Sequence, residues 1–156
     1  MSKLVDTVKQ STPGPADDVL EAVHTVMHLF RAQQYRVLRD GPHNVTHMDG
    51  KVLGFFARHP GATQSELATH SGRDKGQIGR LIAGLKERGL LEARTDDTDR
   101  RNVRLQLSHE GKTVQQALER QRRRLADAAV AGLSAGERQQ LVSLLDRVRA
   151  NLDTAP

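Results

Sequence analysis

Apolar positions recur every three to four residues along most of this chain, which is the pattern of helices that bury one face. Near the N-terminus the pattern predicts a long helix over residues 17–40, which ends before Gly41-Pro42, and a second helix over residues 46–58. Near the C-terminus it predicts a long helix from Ser108 to about residue 131 and a last helix over residues 134–152. Serine or threonine stands at several expected starts, where its hydroxyl can cap free backbone N–H groups.

Two short helices joined by a tight turn are predicted in the middle of the chain. Thr63 and Glu66 have the spacing of a capping box, which opens a helix that ends near residue 70. Asp74 and Gln77 can form a second capping box, and the helix that they open runs to about residue 88, just before a glycine. Two short helices with a glycine-containing turn between them predict a helix-turn-helix over residues 63–88.

After Gly89 the apolar period shortens from 3.6 to two, which is the period of β-strands. Strands are predicted over residues 90–95 and 102–107, with the polar and turn-prone segment 96–101 between them. The two strands predict a hairpin over residues 91–107, which would form a wing behind the helix-turn-helix. The predicted fold class is therefore mainly α with a small β-hairpin wing, a winged helix-turn-helix with long terminal dimerisation helices.

The terminal helices are too long, and too apolar on one face, to pack only on the small middle part of the chain. We therefore predict one winged-helix domain over residues 17–153, in which the helices over 17–40 and 108–153 join two copies into a homodimer. Residues 1–16, which contain a segment rich in proline and glycine, are predicted to be a disordered tail.

The composition narrows the classes of function. The 156 residues include 24 Lys and Arg against 19 Asp and Glu, a net charge of +5 that favours a polyanion such as nucleic acid as partner. The chain has no cysteine, which excludes disulfides and zinc–thiolate sites. No apolar run approaches the length of a membrane span, about 20 residues, so a cytoplasmic location without a membrane partner is expected. Paired carboxylates, nucleophile–base groupings and phosphate-binding glycine loops are not found in the sequence, and we predict neither enzyme activity nor a cofactor.

Cationic and amide side chains gather in the helix-turn-helix and the wing. Residues 71–104 contain nine lysines and arginines against six acids, a net of +3 that is most of the charge of the chain. Lys75 and Arg80 can bind phosphates or guanine, Gln77 can pair with adenine, and serine hydroxyls can bind phosphate. An arginine on a thin loop suits a narrow minor groove. The predicted DNA-binding residues are Ser65, Ser71, Arg73, Lys75, Gln77, Arg80, Arg100 and Arg101.

A second group of cations lies on the predicted helix that starts at Ser108. Its members are Arg120, Arg122, Arg123 and Arg124. Such a run can be a solvated face or a set of salt bridges, or it can bind nucleic acid. The first two interpretations are the more common for a charged run on a helix, and we favour them.

These motifs resemble the MarR family of winged-helix regulators. The resemblance covers roughly residues 19–152 and depends on the spacing between the second helix of the helix-turn-helix, the wing and the Leu-Ser-x-x-Gly pattern that follows it. The matching segments are Asp74-Lys75-Gly76-Gln77-Ile78-Gly79-Arg80-Leu81-Ile82, Leu85-Lys86-Glu87-Arg88-Gly89-Leu90-Leu91, Arg94, Asp97-Thr98-Asp99-Arg100-Arg101 and Leu105-Gln106-Leu107-Ser108-His109-Glu110-Gly111.

The resemblance implies a triangular homodimer whose interface is formed by the first, fifth and sixth helices. The helix over residues 74–88 would enter the major groove, Arg101 would reach a neighbouring minor groove, and Asp99 would hold that arginine in place as a support of the wing. Gly76 and Gly79 depart from the family pattern, which often has Ser, Thr or Ala at these positions. The glycines can serve a close approach of the backbone to DNA or tight packing between helices, and the sequence leaves both interpretations open.

A polar stripe borders the apolar face of the first helix. It consists of His24, His28, Arg31 and Tyr35, at spacings of four, three and four. In MarR-like proteins a small aromatic acid often lies between the first helix and the DNA-binding lobe, and Arg31 and His28 could pair with its carboxylate. Polar contacts in the dimer interface are the alternative for the whole stripe. His24 and His28 also have the spacing of a metal-binding pair, but no further ligand stands near them and we predict no metal site.

Together these features predict a sequence-specific transcriptional regulator. It would be a repressor that binds a palindromic double-stranded operator as a homodimer and responds to a small-molecule effector such as an aromatic acid. The alternative is an architectural DNA-binding protein without an effector, which would bind DNA through charge alone.

Overall fold

The computed structural model describes residues 14–156, which form six helices and a small antiparallel sheet. In chain order the elements are α1 Pro15–Arg39, α2 His47–Arg58, β1 Ala62–Thr63, α3 Gln64–Ser71, α4 Lys75–Glu87, β2 Leu91–Thr95, β3 Val103–Leu107, α5 His109–Ala129 and α6 Ala135–Asp153. The predicted order of four helices, a hairpin and two helices is confirmed, and with it the winged helix-turn-helix fold class. Among residues 14–156, no helix has the length and apolar content that crossing a membrane requires.

α1 begins at Pro15, two residues before its predicted start. Pro15 occupies the first helical turn, where its missing N–H costs nothing, and the Asp17 carboxylate accepts a hydrogen bond of 3.0 Å from the Gly14 N–H. Residues 1–13 of the predicted disordered tail lie outside the described residues, whereas residues 15 and 16 of that tail belong to the helix.

Hydroxyl caps mark the starts of four helices. Each capping hydroxyl accepts a hydrogen bond from the backbone N–H three residues further on, and the capping residues are Thr46, Thr63, Ser108 and Ser134. At α4 only half of the predicted capping box is present in the described chain. The Asp74 carboxylate accepts a bond of 3.3 Å from the Gln77 N–H, but no bond returns from the Gln77 side chain. Gln77 instead lines a groove between α4 and the start of α2.

A third strand, which the apolar pattern did not reveal, extends the predicted hairpin. β3 lies between β2 and β1, and both pairs are antiparallel. Leu91 pairs with Leu107 within the hairpin, and β1 adds only Ala62 and Thr63 to the other edge of β3. A strand of two residues is too short to show periodicity, and it forms because the chain before α3 runs beside β3. The sheet thereby joins the wing to the start of the helix-turn-helix.

The hydrophobic core is shared by α2, α3, α4, the sheet and the first part of α5. Its most deeply buried side chains are Val45, Val52, Leu53, Phe56, Ile78, Leu85 and Leu90. α5 starts close against this core, because the Ser108 hydroxyl donates a hydrogen bond to the Gly89 carbonyl. A methyl group on Gly111 would overlap the carbonyl oxygen of Leu90. The Leu-Ser-x-x-Gly pattern is therefore the signature of a close helix approach, in which only glycine fits at residue 111.

Apolar side chains remain uncovered on the first half of α1 and along α6. No residue of α6 is buried, and Tyr35 and Leu38 near the end of α1 pack on the core. The exposed apolar residues of the two helices are Val19, Leu20, Val23, Val26, Met27 and Leu29 on α1 and Leu141, Val142, Leu144, Leu145 and Leu152 on α6. Val26 is 61% exposed and Leu152 62%. In a single chain, then, these faces have no apolar partner among the described elements.

Candidate nucleic-acid interface

α4, the second helix of the helix-turn-helix, has one buried face and one ridge that faces solvent. Ile78, Ile82 and Leu85 are buried in the core. The opposite ridge consists of Gly76, Arg80, Ala83 and Glu87, all exposed. Arg80 is the long cationic side chain of this ridge, and it is the group on the ridge that is suited to a guanine edge or a phosphate.

One side of α4 faces α3 and the wing across a cleft of about 340 Å³. Predicted DNA-binding residues from three elements meet in it, namely Ser65 from the first turn of α3, Lys75 from the first turn of α4 and Arg101 from the wing. The residues that complete the lining are Thr63, Gln64, Ala68, Asn102 and Val103. Two cations, a hydroxyl and a helix start in one cleft make a surface suited to the phosphate backbone of DNA.

The other side of α4 faces the start of α2 across a wider groove. Gln77 and Arg80 line this groove together with Asn44 and Thr46. The structure therefore separates the predicted contacts of α4 into two sets, because Lys75 lies on the side of the wing and Gln77 on the side of α2. Arg80, on the ridge between them, reaches the second groove.

Asp96, which the sequence analysis did not single out, organises the wing. Its carboxylate accepts hydrogen bonds from the N–H and the hydroxyl of Thr98 and from Nε of Arg104. These bonds, with those from Thr98 first, lower the pKa of Asp96. Arg104 also donates a bond of 3.1 Å to the carbonyl of Gly61, which ties the wing to the turn before β1. The sequence contained one signal for this contact, because Asp96 and Arg104 carry opposite charges and stand at the turn end of the two predicted strands.

Asp99 holds Arg101 through the backbone. Asp99 Oδ1 accepts a hydrogen bond of 3.0 Å from the Arg101 N–H, and within residues 14–156 the two side chains form no ion pair. Arg100 and Arg101 are both exposed at the end of the wing. The resemblance implied that Asp99 holds Arg101 in place. In the structure Asp99 binds the backbone of the turn that carries Arg101, and its carboxylate does not bind the Arg101 guanidinium.

Arg88 fixes the end of α4 to the start of α2. Its Nη2 lies 3.0 Å from Oδ2 of Asp49, and its Nη1 donates to the same oxygen and to two backbone carbonyls between α1 and α2. Asp49 is 3% exposed, and its carboxylate also accepts a bond of 3.0 Å from the Thr46 N–H. One buried carboxylate therefore caps α2 and holds α4. Sequence reasoning missed this pair because its members lie 39 residues apart.

A cavity of about 500 Å³ lies between α1, α2, α5 and the turn that joins α3 to α4. Tyr35 lines it, but the other members of the predicted effector stripe do not. Of these, His24 and His28 lie exposed on α1 with their ring centroids 6.3 Å apart, and Arg31 is exposed further along the same helix. Ser71 and Arg73, which were predicted to contact DNA, line this cavity instead of the grooves beside α4.

Cations dominate the charged lining of the cavity. It contains Lys51, Arg58, Arg73 and Arg122 and one acid, Glu119. Glu119 is already paired, at 2.7 Å with Arg122 and at 3.2 Å with Arg123, and the bond from Arg122 is the main cause of its lowered pKa. These two pairs agree with the salt-bridge interpretation of the α5 arginines. Lys51, Arg58 and Arg73 form no ion pair with another described residue.

His47 lies beside the cavity, next to Tyr35. Its ring packs edge-on against Tyr35, with centroids 5.1 Å apart. Burial lowers the pKa of His47, and the charges of Lys51, Arg31 and Arg73 lower it further. Burial raises the pKa of Tyr35. Both rings are therefore uncharged near neutral pH, and the cations around them would attract an anion.

Comparison with known proteins identifies the family. A family model described as the MarR family matches residues 43–102, which contain α2, the helix-turn-helix and the first strand of the wing. A protein of Thauera aromatica, named as a transcriptional regulatory protein for the hcr operon, is 31% identical over 143 residues, which are 84% of this chain and 86% of the relative. The chain belongs to the MarR family.

Two further comparisons agree with membership of the MarR family. The transcriptional repressor NicR of Pseudomonas putida is 29% identical over 90 residues, which are 58% of this chain and 57% of that protein. The crystal structure of Streptococcus pneumoniae FabT in complex with DNA matches with a TM-score of 0.80 at 16% identity, over 88% of this chain and 97% of that one. The structural likeness shows the fold. The family and the relatives show that this MarR protein is a DNA-binding transcriptional regulator and not an enzyme, as predicted.

The polar residues of this MarR regulator that the sequence analysis did not select lie where separate elements meet. Gln64 and Asn102 line the cleft beside α4, and Lys51 and Arg58 line the cavity. Gln64 carried a weak signal, because it follows the capping residue of the first helix of the helix-turn-helix. The other residues are ordinary exposed polar types in the sequence, and only the packing of the helices brings them to a common space.

Proposed function

We propose that the protein is a homodimeric repressor that binds a palindromic DNA operator and is controlled by a small anionic effector. The observation that carries the proposal is the convergence of α3, α4 and the wing on one surface, with Arg80 on the ridge of α4 and Lys75 and Arg101 in the cleft beside it. A capped helix with an exposed ridge suits the major groove, and a thin loop with arginines suits a neighbouring minor groove.

Within this surface we assign base contacts and backbone contacts to different residues. Gln77 and Arg80 read bases, because an amide pairs with adenine and a guanidinium with guanine. Ser65 and Lys75 bind phosphates from the cleft, and Arg101, with Arg100 next to it, enters the minor groove. Ser71 and Arg73 line the cavity, and we assign them to the effector.

Loss of a base contact and loss of the wing arginine should have different consequences. Gln77→Ala and Arg80→Ala should each weaken operator binding by about 1 to 3 kcal/mol and relax the preference at particular base pairs. Arg101→Ala should cost a similar amount but mainly reduce the preference for A·T-rich flanks, because a narrow minor groove is read by its shape and potential. The measurement is affinity at fixed salt on the natural site and on sites with altered flanks.

Lys112→Ala is the control for these variants. It removes one exposed positive charge from the first turn of α5, outside both grooves of α4, and should leave operator affinity nearly unchanged. Thermal unfolding should also be little altered, since Gln77, Arg80 and Arg101 do not belong to the core. Operator binding by Arg101→Ala that equals binding by the parent protein would show that the hairpin is not a DNA-reading wing.

The homodimer is supported by the uncovered apolar faces of α1 and α6. A two-fold pairing buries the same face on both partners, so that a second copy of the chain supplies what one chain lacks. A two-fold dimer presents two α4 helices, and its operator should be an imperfect palindrome with half-site centres about 10 bp apart. Repression follows if such an operator overlaps a promoter, and the relative NicR is named as a repressor.

The effector class follows from the cavity. Lys51, Arg58 and Arg73 supply positive charge, Phe55 and Leu67 supply apolar wall, and about 500 Å³ is room for a small aromatic acid. The cavity touches α1 and α5 on the side of the dimer helices and the α3–α4 turn on the side of DNA. A ligand that fits only one position of the dimer helices relative to the α3–α4 turn would favour that position. It would thereby change the separation of the two α4 helices in the dimer.

Benzoate, with benzyl alcohol as its uncharged counterpart, tests this site. Benzoate should raise the unfolding temperature of the parent protein and weaken operator binding by about 5- to 150-fold, whereas benzyl alcohol should do neither. The variant Arg58→Ala/Arg73→Ala should lose both responses, because it removes two of the three unpaired cations. Calorimetric unfolding and operator titration, each with and without the ligand, are the measurements.

The matched control is His24→Ala/His28→Ala, which removes two polar side chains that lie outside the cavity. It should keep both responses to benzoate. The reverse result, with the response lost in the histidine variant and kept in the arginine variant, would move the effector site to the predicted stripe on α1. A parent protein that ignores benzoate would contradict an aromatic carboxylate as the effector class.

A further inference from the structure

The ridge of α4 carries few side chains able to read DNA. Gly76 has no side chain, Ala83 has a methyl group, and Glu87 carries a negative charge that DNA repels. Arg80 is therefore the only side chain on the ridge that is suited to a base edge, and Gln77 lines the groove on the side that faces α2. On the other side, which faces α3 and the wing, Lys75 is the only α4 residue that lines the cleft, and Gly79 has no side chain with which to read a base edge.

The side chain of Gln64, from the first turn of α3, fills the space that a side chain at residue 79 would occupy. A Cβ built on Gly79 would lie 3.1 Å from Nε2 of Gln64, and outside the helix itself that amide is the one group within 4 Å. Gln64 is exposed, and its amide forms no hydrogen bond with another described residue. Its donor and acceptor are thus both open to a ligand at the surface of the recognition helix.

We propose that Gln64 is a specificity-determining residue, which reads a base edge from α3 at the position where α4 has Gly79. The inference rests on the proposed binding of a specific operator. An amide that offers one donor and one acceptor side by side matches N7 and N6 of adenine in the major groove. Two roles of Gly79 were left open by the sequence, namely close approach of its backbone to DNA and tight packing between helices. The proposal assigns it a third role. Gly79 makes room for a side chain of the neighbouring helix.

The charges of the cleft distinguish this role from phosphate binding. Lys75 and Arg101 supply the positive charge, and Ser65 supplies a hydroxyl, so the phosphate backbone already has its partners there. Gln64 is the neutral member of the lining that lies against the recognition helix. Its loss should therefore affect which sequence is bound more than how strongly DNA in general is bound.

The test begins with the operator that the parent protein selects from a library of random DNA duplexes. Affinity is then measured for every single base-pair change in that operator, for the parent protein and for Gln64→Ala. The variant should lose discrimination at one base pair in each half-site, by about 5- to 150-fold, and keep it elsewhere. Gln77→Ala should lose discrimination at a different base pair, which shows that the two amides read separate positions.

Gly79→Ala provides an independent arm. A methyl group 3.1 Å from Nε2 should shift the Gln64 amide by a few tenths of an ångström, so this variant should reduce discrimination at the same base pair as Gln64→Ala. The double variant should lose no more than Gln64→Ala alone, because both changes act on one contact. Alanine is the better helix former, so the unfolding temperature should not fall. The matched control is Gly136→Ala in the first turn of α6, outside both grooves of α4, where the added methyl group makes only an ordinary contact with the Ser134 hydroxyl at 3.9 Å.

Three results would overturn the inference. Gln64→Ala could weaken all sequences equally, which assigns Gln64 to a phosphate. Gln64→Ala could leave all base preferences intact, which would show that Gln64 does not contact the bases. Gly79→Ala and Gln64→Ala could affect different base pairs, which breaks the link between the two residues. If the parent protein selects no common sequence, the proposed function fails as well, whereas each of the three results is obtained with a parent protein that does select an operator.

Discussion

Leu141→Asp/Leu145→Asp should convert the protein to a monomer at micromolar concentration and weaken operator binding by about 10²- to 10⁴-fold. Both leucines lie one turn apart on α6, at 46% and 40% exposure, so aspartates there remain hydrated in a monomer but would be buried in a dimer. A monomer binds one half-site at a time and loses the gain from binding two linked half-sites. Sedimentation gives the oligomeric state, and titration of the full operator and of a single half-site gives the affinities.

Gln139→Asp/Ser143→Asp is the matched control. It introduces the same change in charge with the same spacing on α6, at exposed positions outside the apolar set, and should leave a dimer that binds the full operator like the parent protein. No residue of α6 is buried in the described chain, so circular dichroism should show folded protein in both variants. A leucine variant that stays dimeric would place the dimer interface away from α6.

Arg88→Ala should lower the free energy of unfolding by about 3 kcal/mol, the low end of the cost of breaking a buried ion pair. The low end applies because the Arg88 side chain is 30% exposed, although Asp49 is only 3% exposed. Without Arg88, the Asp49 carboxylate keeps only its bond from the Thr46 N–H. α4 also loses its attachment to α2, so operator affinity corrected for the unfolded fraction should fall as well. Urea unfolding and operator titration are the measurements.

Two further variants make this prediction specific. Arg94→Ala removes an exposed arginine from β2 and should change the free energy of unfolding by less than about 0.5 kcal/mol. Arg88→Ala/Asp49→Asn should recover part of the stability lost in Arg88→Ala, because a buried amide needs no counter-charge and its oxygen still accepts from Thr46. Equal stability of Arg88→Ala and Arg94→Ala would mean that the Arg88–Asp49 pair contributes nothing to the fold.

The candidate interface could be predicted in part because its signals are local. Asp74 and Thr63 each cap a helix through the N–H three residues further on, so the start of each helix of the helix-turn-helix is encoded within one turn. Lys75, Gln77 and Arg80 then follow from their places on a helix whose start is known. Ser71, selected for its hydroxyl, and Arg73 were also predicted to bind DNA, and in the structure both line the cavity between α1, α2 and α5.

The residues that line the cavity were harder to predict from the sequence. His24, His28, Arg31 and Tyr35 form a stripe only along α1, and a stripe on one helix does not say which part of it a second helix covers. In the structure α1 packs on the core near Tyr35 and leaves the earlier turns exposed. The cations of the cavity come from α2, α5 and the α3–α4 turn, so no single segment of the sequence contains the site.

The sequence by itself determined the type, order and approximate limits of the helices and of the hairpin, the surplus of positive charge in the helix-turn-helix and wing, and the family. These properties depend on capping residues and apolar periods that act within a few positions of one another. Only the tertiary structure decided the pairing of β1 with β3, the pair of Asp49 with Arg88, the contact of Gln64 with Gly79 and the composition of the cavity. Each of these joins ordinary polar or small residues that are distant along the chain or belong to different helices, and their partners are set by how the helices pack and not by the neighbouring sequence.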